Sequence, residues 1–304
     1  MRHRHFHNSP TKIVAAIELV IASGFWGLGY VASKWALVSM GPFSVAFLRF
    51  VIALAFALLW VLWASRTAAG NNFKAEFWRS RQAGLALGAM VVLQTLALQY
   101  TSVTRCGFLS GLYVVFVPIL EALMLRSMIQ PRLGLWIAVA TLGTCLMCGY
   151  DGGQGWNAGD TFALACAVVA AVQIVLVDKT SGKIASPFSF NAGQSFWACL
   201  PGLIFMIAYA EVPRLPWTGG SWLGIAILSI GCTLTGFWLQ IRAQKILSAT
   251  VVSILFLLES PSAGLFGYIF FDERMSSQQF AGAALILLAC WNTVALDRKT
   301  TKRT

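Results

Sequence analysis

Charge and histidine are what this 304-residue sequence has least of. Asp, Glu, Lys and Arg make up 11% of it against 58% hydrophobic residues, and mean hydropathy is +0.73. A soluble globule carries about 25% charged residues, so a water-surrounded domain is excluded. The three histidines, His3, His5 and His7, sit in the first seven residues. Beyond them neither a zinc HExxH pair nor a serine–histidine dyad can be assembled. A Walker A sequence is also missing, which rules out a P-loop ATPase. Tyr150-Asp151 and Gly159-Asp160 come nearest to the paired acids of an aspartyl protease. Such acids must face each other from two helices, whereas these lie in or beside one short loop, so the chain is expected not to be an enzyme. Cys145 and Cys148 form a C-x-x-C with no nearby His or acid, and the expectation is no metal and no cofactor.

What is present is apolar sequence. Ten segments approach the roughly 20 residues that cross a hydrocarbon core of about 30 Å. They run approximately over 13–33, 42–63, 83–101, 107–125, 133–150, 161–178, 187–209, 221–241, 249–271 and 278–296. Their hydrophobicity is continuous, not alternating, which points to helices instead of barrel strands. The first follows a polar tail and has no small-residue cleavage site, so it reads as a retained helix. Residues 64–82, with Phe73, Phe77 and Trp78 among basic residues, read as a short helix on the membrane surface.

The net charge of +11 is unevenly placed. Of the 22 Lys and Arg, 17 fall in the tails and connections on one side and four (Lys34, Arg105, Arg214 and Arg274) on the other, with Arg49 inside a span. By the positive-inside rule both termini are cytoplasmic and the protein lies in the cytoplasmic membrane. A basic face against anionic lipid accounts for the charge without nucleic acid, leaving membrane lipids and a small-molecule substrate as the expected partners.

One skeleton occurs twice. Lys34, Pro42, Phe43, Ser44 and Arg49 match Lys179, Pro187, Phe188, Ser189 and Gln194 at an offset of 145, and Gln99 falls on Gln244 at the same offset. Internal repeats of this kind define architecture. The expected organisation is a tail (1–12), a first five-helix repeat (13–150), a linker (151–160), a second repeat (161–297) and a basic tail (298–304). Five spans is an odd number, so the second half enters the membrane upside down. The fold class expected is an all-α integral membrane protein with ten transmembrane helices in two inverted five-helix repeats. Proteins on this plan bind substrate near mid-membrane at the repeat interface, which predicts a secondary transporter working by alternating access. A pore-type channel or a non-transporting structural membrane protein is the alternative, but no filter loop is evident.

Ionisable groups within spans are costly and signal function. Glu259, ten residues into the ninth span with Pro261 after it, is the leading candidate for a substrate ammonium group or a proton. Glu121, near Pro118 in the fourth span, is a second coupling candidate, with a partner in Arg126 as the other reading. Arg49 offers a planar fork for a carboxylate, or a clamp on neighbouring carbonyls. Gln94 and Gln173 sit at mid-depth as orienting amides, and Trp26, Tyr30, Tyr113 and Trp238 are candidates to line a cavity. Lys34, at a span end, is expected to reach the headgroups.

Trp26-Gly27, Lys34 with Pro42 and Arg49, the run ALQYTSVTRCGFLSGLYVVFVPILE at 97–121 and SATVVSILFLLESPSAGLFGYIFFDER at 248–274 together resemble the EamA-type branch of the drug/metabolite transporter superfamily. The resemblance covers nearly the whole chain. It implies a ten-helix basket with a central cavity, spans 5 and 10 at its periphery, and export of amino acids or related small metabolites. Peripheral fifth and tenth spans would leave room for a homodimer. One departure from the pattern is visible: the acid usual after the fourth span of each half is Glu273 in the second, where the first has Arg126-Ser127.

Overall fold

The computed structural model describes residues 11–65, 73–125, 131–148, 155–212 and 218–301. His3, His5, His7, Arg126, Ser127, Tyr150, Asp151 and Arg214 lie outside the described residues. Every element among the described residues is a helix. The chain enters by α1 (Lys12–Leu37) and α2 (Pro42–Ser65), followed by the short α3 (Phe73–Arg79) and then α4 (Arg81–Tyr100) as the third span. The fourth is broken into α5 (Val103–Gly111) and α6 (Tyr113–Leu125), and α7 (Pro131–Cys148) is the fifth. In the second half come α8 (Ala158–Ser181) and α9 (Pro187–Ala208). The eighth span joins α10 (Gly219–Ala226), a π-helical segment (Ile227–Gly236) and α11 (Phe237–Ala243). The ninth is α12 (Ala249–Phe256) plus α13 (Glu259–Phe271), and α14 (Ser277–Thr301) is the tenth. Nine of the ten have the length and apolarity of a full crossing, and the apolar part of α7 is shorter.

The contacts between spans obey the inverted symmetry. Span 3 packs on span 6 and span 8 on span 1, which are the same pair with the halves exchanged. Spans 2 and 7 pack on each other, as do 5 and 10, each pair mapping onto itself. Small residues allow the closest approach: a Cβ on Gly84 would lie 2.6 Å from the Gln194 carbonyl oxygen, and one on Gly88 2.9 Å from Ala198 Cα. Span 3 therefore rests directly on the backbone of span 7.

Spans 4 and 9 are interrupted at the same place in the repeat, Leu112 and Leu257. In an unbroken helix the N–H of residue 261 would serve the Leu257 carbonyl, but Pro261 has none. That carbonyl accepts from Ser260 N at 3.0 Å instead, and Leu258 N donates to Leu255 O at 3.2 Å, the tighter bonding of a 3₁₀ turn. The two breaks meet where Gly111 lies against Leu257 and Ser260. Thus the irregular backbone falls inside the protein, where a membrane helix tolerates it.

Each half also closes a helix start in the other. Glu211, after span 7, accepts from Ser44 N at 2.7 Å and Phe43 N at 3.3 Å at the first turn of α2, where free N–H groups attract a carboxylate. Glu76 of α3 accepts from Ala185 N at 2.8 Å, just ahead of α9, and pairs with Arg79 at 3.0 Å. Trp197 Nε1 donates to Phe77 O at 2.9 Å, so α3 docks on span 7 as well as exposing Trp78. Lys34 does not reach outward as expected: its Nζ donates to the Thr101 carbonyl at 2.9 Å, because the end of α4 leaves that carbonyl without a helical donor.

Candidate functional site

Spans 1, 2, 3, 4, 6, 8 and 9 line a central cavity of about 60 Å³. Among the described residues spans 5 and 10 contribute nothing to its wall, in keeping with their peripheral packing.

The polar wall has two poles. Glu259, the first residue after the span 9 break, is 7% exposed. Tyr30 Oη donates to its Oε1 at 3.4 Å, and the buried Tyr113 hydroxyl faces the same carboxylate without completing a hydrogen bond. Arg49 is 3% exposed. Its Nε donates to Thr233 Oγ1 at 3.1 Å, and its Cζ lies 5.5 Å from the Phe50 ring centroid. No carboxylate and no further acceptor reaches the guanidinium among the described residues. It does not clamp carbonyls of span 1 or 3, because the π segment of span 8 presents Thr233 to it.

Gln94 lies beside Tyr30 on the cavity wall. Gln173 joins an amide chain in which Gln240 Nε2 donates to Gln173 Oε1 at 3.1 Å and to Gln244 Oε1 at 2.8 Å. Gln173 Nε2 and Gln240 Oε1 remain buried without partners among the described residues, and both residues line the cavity. The apolar wall is Trp26 with Phe237 and Phe256, whose ring centroids lie 5.2 and 4.6 Å from that of Trp26.

Two expected site residues lie elsewhere. Trp238 does not line the cavity. One helical step turns it away, and its ring packs under Arg242, with Cζ 4.8 Å from the centroid, while its neighbour Phe237 faces inward. Arg242 in turn pairs with Glu18 at 2.8 Å, joining spans 8 and 1 on the face that carries both termini. Glu121 is also outside the cavity: its Oε2 accepts from Thr250 N at 2.8 Å and from the Thr250 hydroxyl. It caps α12 across the interface between halves, as a carboxylate at a helix start does. On the other face Arg105 pairs with Asp160 at 2.7 Å, and Asp160 completes the capping box of α8.

Residues 13–149 and 157–295 each match the EamA-like transporter family. The chain belongs to the EamA-like transporter family. An uncharacterized transporter of Archaeoglobus fulgidus is 28% identical over 281 residues, covering 91% of this chain and 85% of its own length. A second uncharacterized transporter of that organism is 22% identical over 299 residues, covering 95% and 98%. A crystal structure of a protein 18% identical to this one superposes with a TM-score of 0.75, over 95% of this chain and 99% of that one, a likeness of fold. In this membrane transporter the central cavity is lined by residues of both matched regions.

Sequence reasoning missed Thr233, Phe237, Gln240 and Phe256. Gln240 was within reach, one turn before Gln244 of the repeat. Phe237 lost to Trp238 because hydrophobicity alone does not orient two adjacent aromatics. Thr233 had no signal, since its role depends on a π turn that no residue in Ile227–Gly236 announces.

Proposed function

We propose that this transporter carries a zwitterionic small metabolite, an amino acid with an apolar or aromatic side chain, by alternating access through the central cavity. The observation that carries the reading is the bipolar wall: a buried guanidinium whose terminal amino groups meet no acceptor among the described residues, and a buried carboxylate faced by two phenols. An unpaired buried charge costs several kcal/mol, which makes such a group in a cavity a candidate for holding a ligand. Arg49 takes the carboxylate through two parallel bonds. Glu259 takes the ammonium with Tyr30 and Tyr113 as its support, and it is the residue available to exchange a proton when no ammonium is bound. Gln94 and Gln173 orient the polar end, and Trp26, Phe237 and Phe256 receive the side chain.

At about 60 Å³ the cavity is too small for an amino acid, since ligand pockets run to about 300–1,000 Å³. The form described is therefore contracted, and loading requires the halves to part. Glu18–Arg242 and Glu121–Thr250 on one face and Arg105–Asp160 on the other are the contacts that would break in turn. The termini face the cytoplasm of a cell membrane, on the charge bias described above, and the direction is export. The two repeats act as the moving units, and the peripheral fifth and tenth spans offer the surface for a homodimer.

The test is counterflow in proteoliposomes loaded with unlabelled amino acids, following uptake of labelled L-phenylalanine. Exchange by several large apolar amino acids, and little by their decarboxylated amines, is the expected result. Equal exchange of acids and amines would remove Arg49 from the site, and no exchange across the panel would overturn the substrate class.

A further inference from the structure

We infer that Thr233, carried on the π segment of span 8, is the positioning residue that aims the Arg49 guanidinium into the cavity and thereby sets the preference for a substrate bearing a carboxylate. The inference rests on the zwitterion reading above and adds to it a residue that does not itself face the substrate.

The hydroxyl of Thr233 has one proton and donates it to the Leu228 carbonyl at 2.8 Å. Its lone pair is therefore left for Arg49 Nε, 3.1 Å away, and the polarity of the contact cannot reverse. That donation reaches five residues back. Other mid-span hydroxyls reach three or four: Thr95 to Val92 and Val91, Ser253 to Thr250, Thr144 to Ala140 and Ser229 to Ile225. A bond five back follows the wider π turn, and the added residue rotates the helix beyond it by about 100° relative to a regular α path. Without the π segment Thr233 would meet a different neighbour.

The segment is held in this form from outside. Trp26 Nε1 donates to Cys232 O at 3.1 Å, and Asn191 Nδ2 donates to Thr233 O at 3.2 Å and Leu234 O at 2.9 Å. Three successive carbonyls thus take side-chain donors from spans 1 and 7. With Nε tied and Phe50 beside the guanidinium, rotation of Arg49 is restricted, and its two terminal amino groups present the fork that matches a carboxylate. At the same repeat position the first half has Gly88, which lies against the backbone of Ala198 and the ring of Pro201 and has no side chain to make such a contact.

Thr233→Val removes the acceptor at nearly constant volume, and Thr233→Ser keeps it. In counterflow, Thr233→Val should raise the KM for L-phenylalanine about tenfold, as loss of one hydrogen bond to a charged group does, with the maximal rate within twofold. The KM for phenethylamine, which has the same ring and ammonium but no carboxylate, should stay within twofold, and Thr233→Ser should recover the wild-type ratio. Equal losses for both probes, or Thr233→Val matching wild type, would overturn the inference.

Arg49→Gln separates the two levels of the argument. If it leaves the preference for L-phenylalanine over phenethylamine intact, the zwitterion reading fails; if it abolishes the preference while Thr233→Val does not, only the role of Thr233 fails. A double-mutant cycle on thermal unfolding tests the contact without any ligand. Thr233→Val should lower the melting midpoint less in Arg49→Gln than in wild type, and equal shifts in both backgrounds would overturn the inference.

Discussion

The two halves share a plan and divide the chemistry. Where half two has Thr233 facing Arg49 of span 2, half one has Gly88 facing Ala198 of span 7. Span 2 carries Arg49 and its counterpart in span 7 is Gln194, whose backbone Gly84 meets and whose amide has no partner among the described residues. Glu259 corresponds to Val114, Tyr113 to Leu258, Tyr30 to Val175 and Trp26 to Ala171. One interface of the repeat is closed by glycine and the other is held open by a hydroxyl and a guanidinium. The lesson is that a duplicated scaffold supplies the mobility, while the residues at which its copies have diverged supply the site.

Making the halves alike should break the protein or its activity. The largest effect is expected from Gln194→Arg, which buries a charge at a fully buried position; a loss of about 3–5 kcal/mol should appear as failure to accumulate folded protein, whereas Gln194→Met should accumulate normally. Glu259→Gln should cut L-phenylalanine exchange about 100-fold with normal expression, the order of a lost charge-assisted contact, and unchanged flux would remove it from the site. Gly88→Thr, the reverse symmetrisation, should lower the melting midpoint through overpacking of about 1–3 kcal/mol. Trp238→Ala should change exchange by less than about twofold, because Trp238 packs under Arg242 and not against the cavity; a KM change equal to that of Trp26→Ala would contradict its placement.

Much of this was legible in the sequence because it depends on quantities that add along the chain. Span positions follow from summed hydropathy, and the inverted plan from an odd span count with a repeated Lys–Pro-Phe-Ser skeleton. Glu259, Arg49, Trp26, Tyr30, Gln94, Tyr113 and Gln173 all line the cavity, since polar groups at mid-span have few places to go. What stayed hidden depends on rotation about a helix axis. Trp238 and Phe237 differ by one residue, about 100° around the helix, yet only Phe237 lines the cavity, and Thr233 reaches Arg49 only through a π turn. Glu121 resembled Glu259 in its proximity to a proline, but its depth put it beside the start of α12, where Thr250 claims its carboxylate.

The exchange of carboxylates between halves also has a consequence in time. The first turn of α2 is completed by Glu211, 167 residues after Ser44. At about 5–20 residues per second, span 2 is made and inserted on the order of 10–30 s before its cap exists. Only in the last part of that interval, once the chain has passed the end of α7 at Cys148, is the first half a full set of helices, and the first turn of α2 stays uncapped until the seventh span and Glu211 have been made.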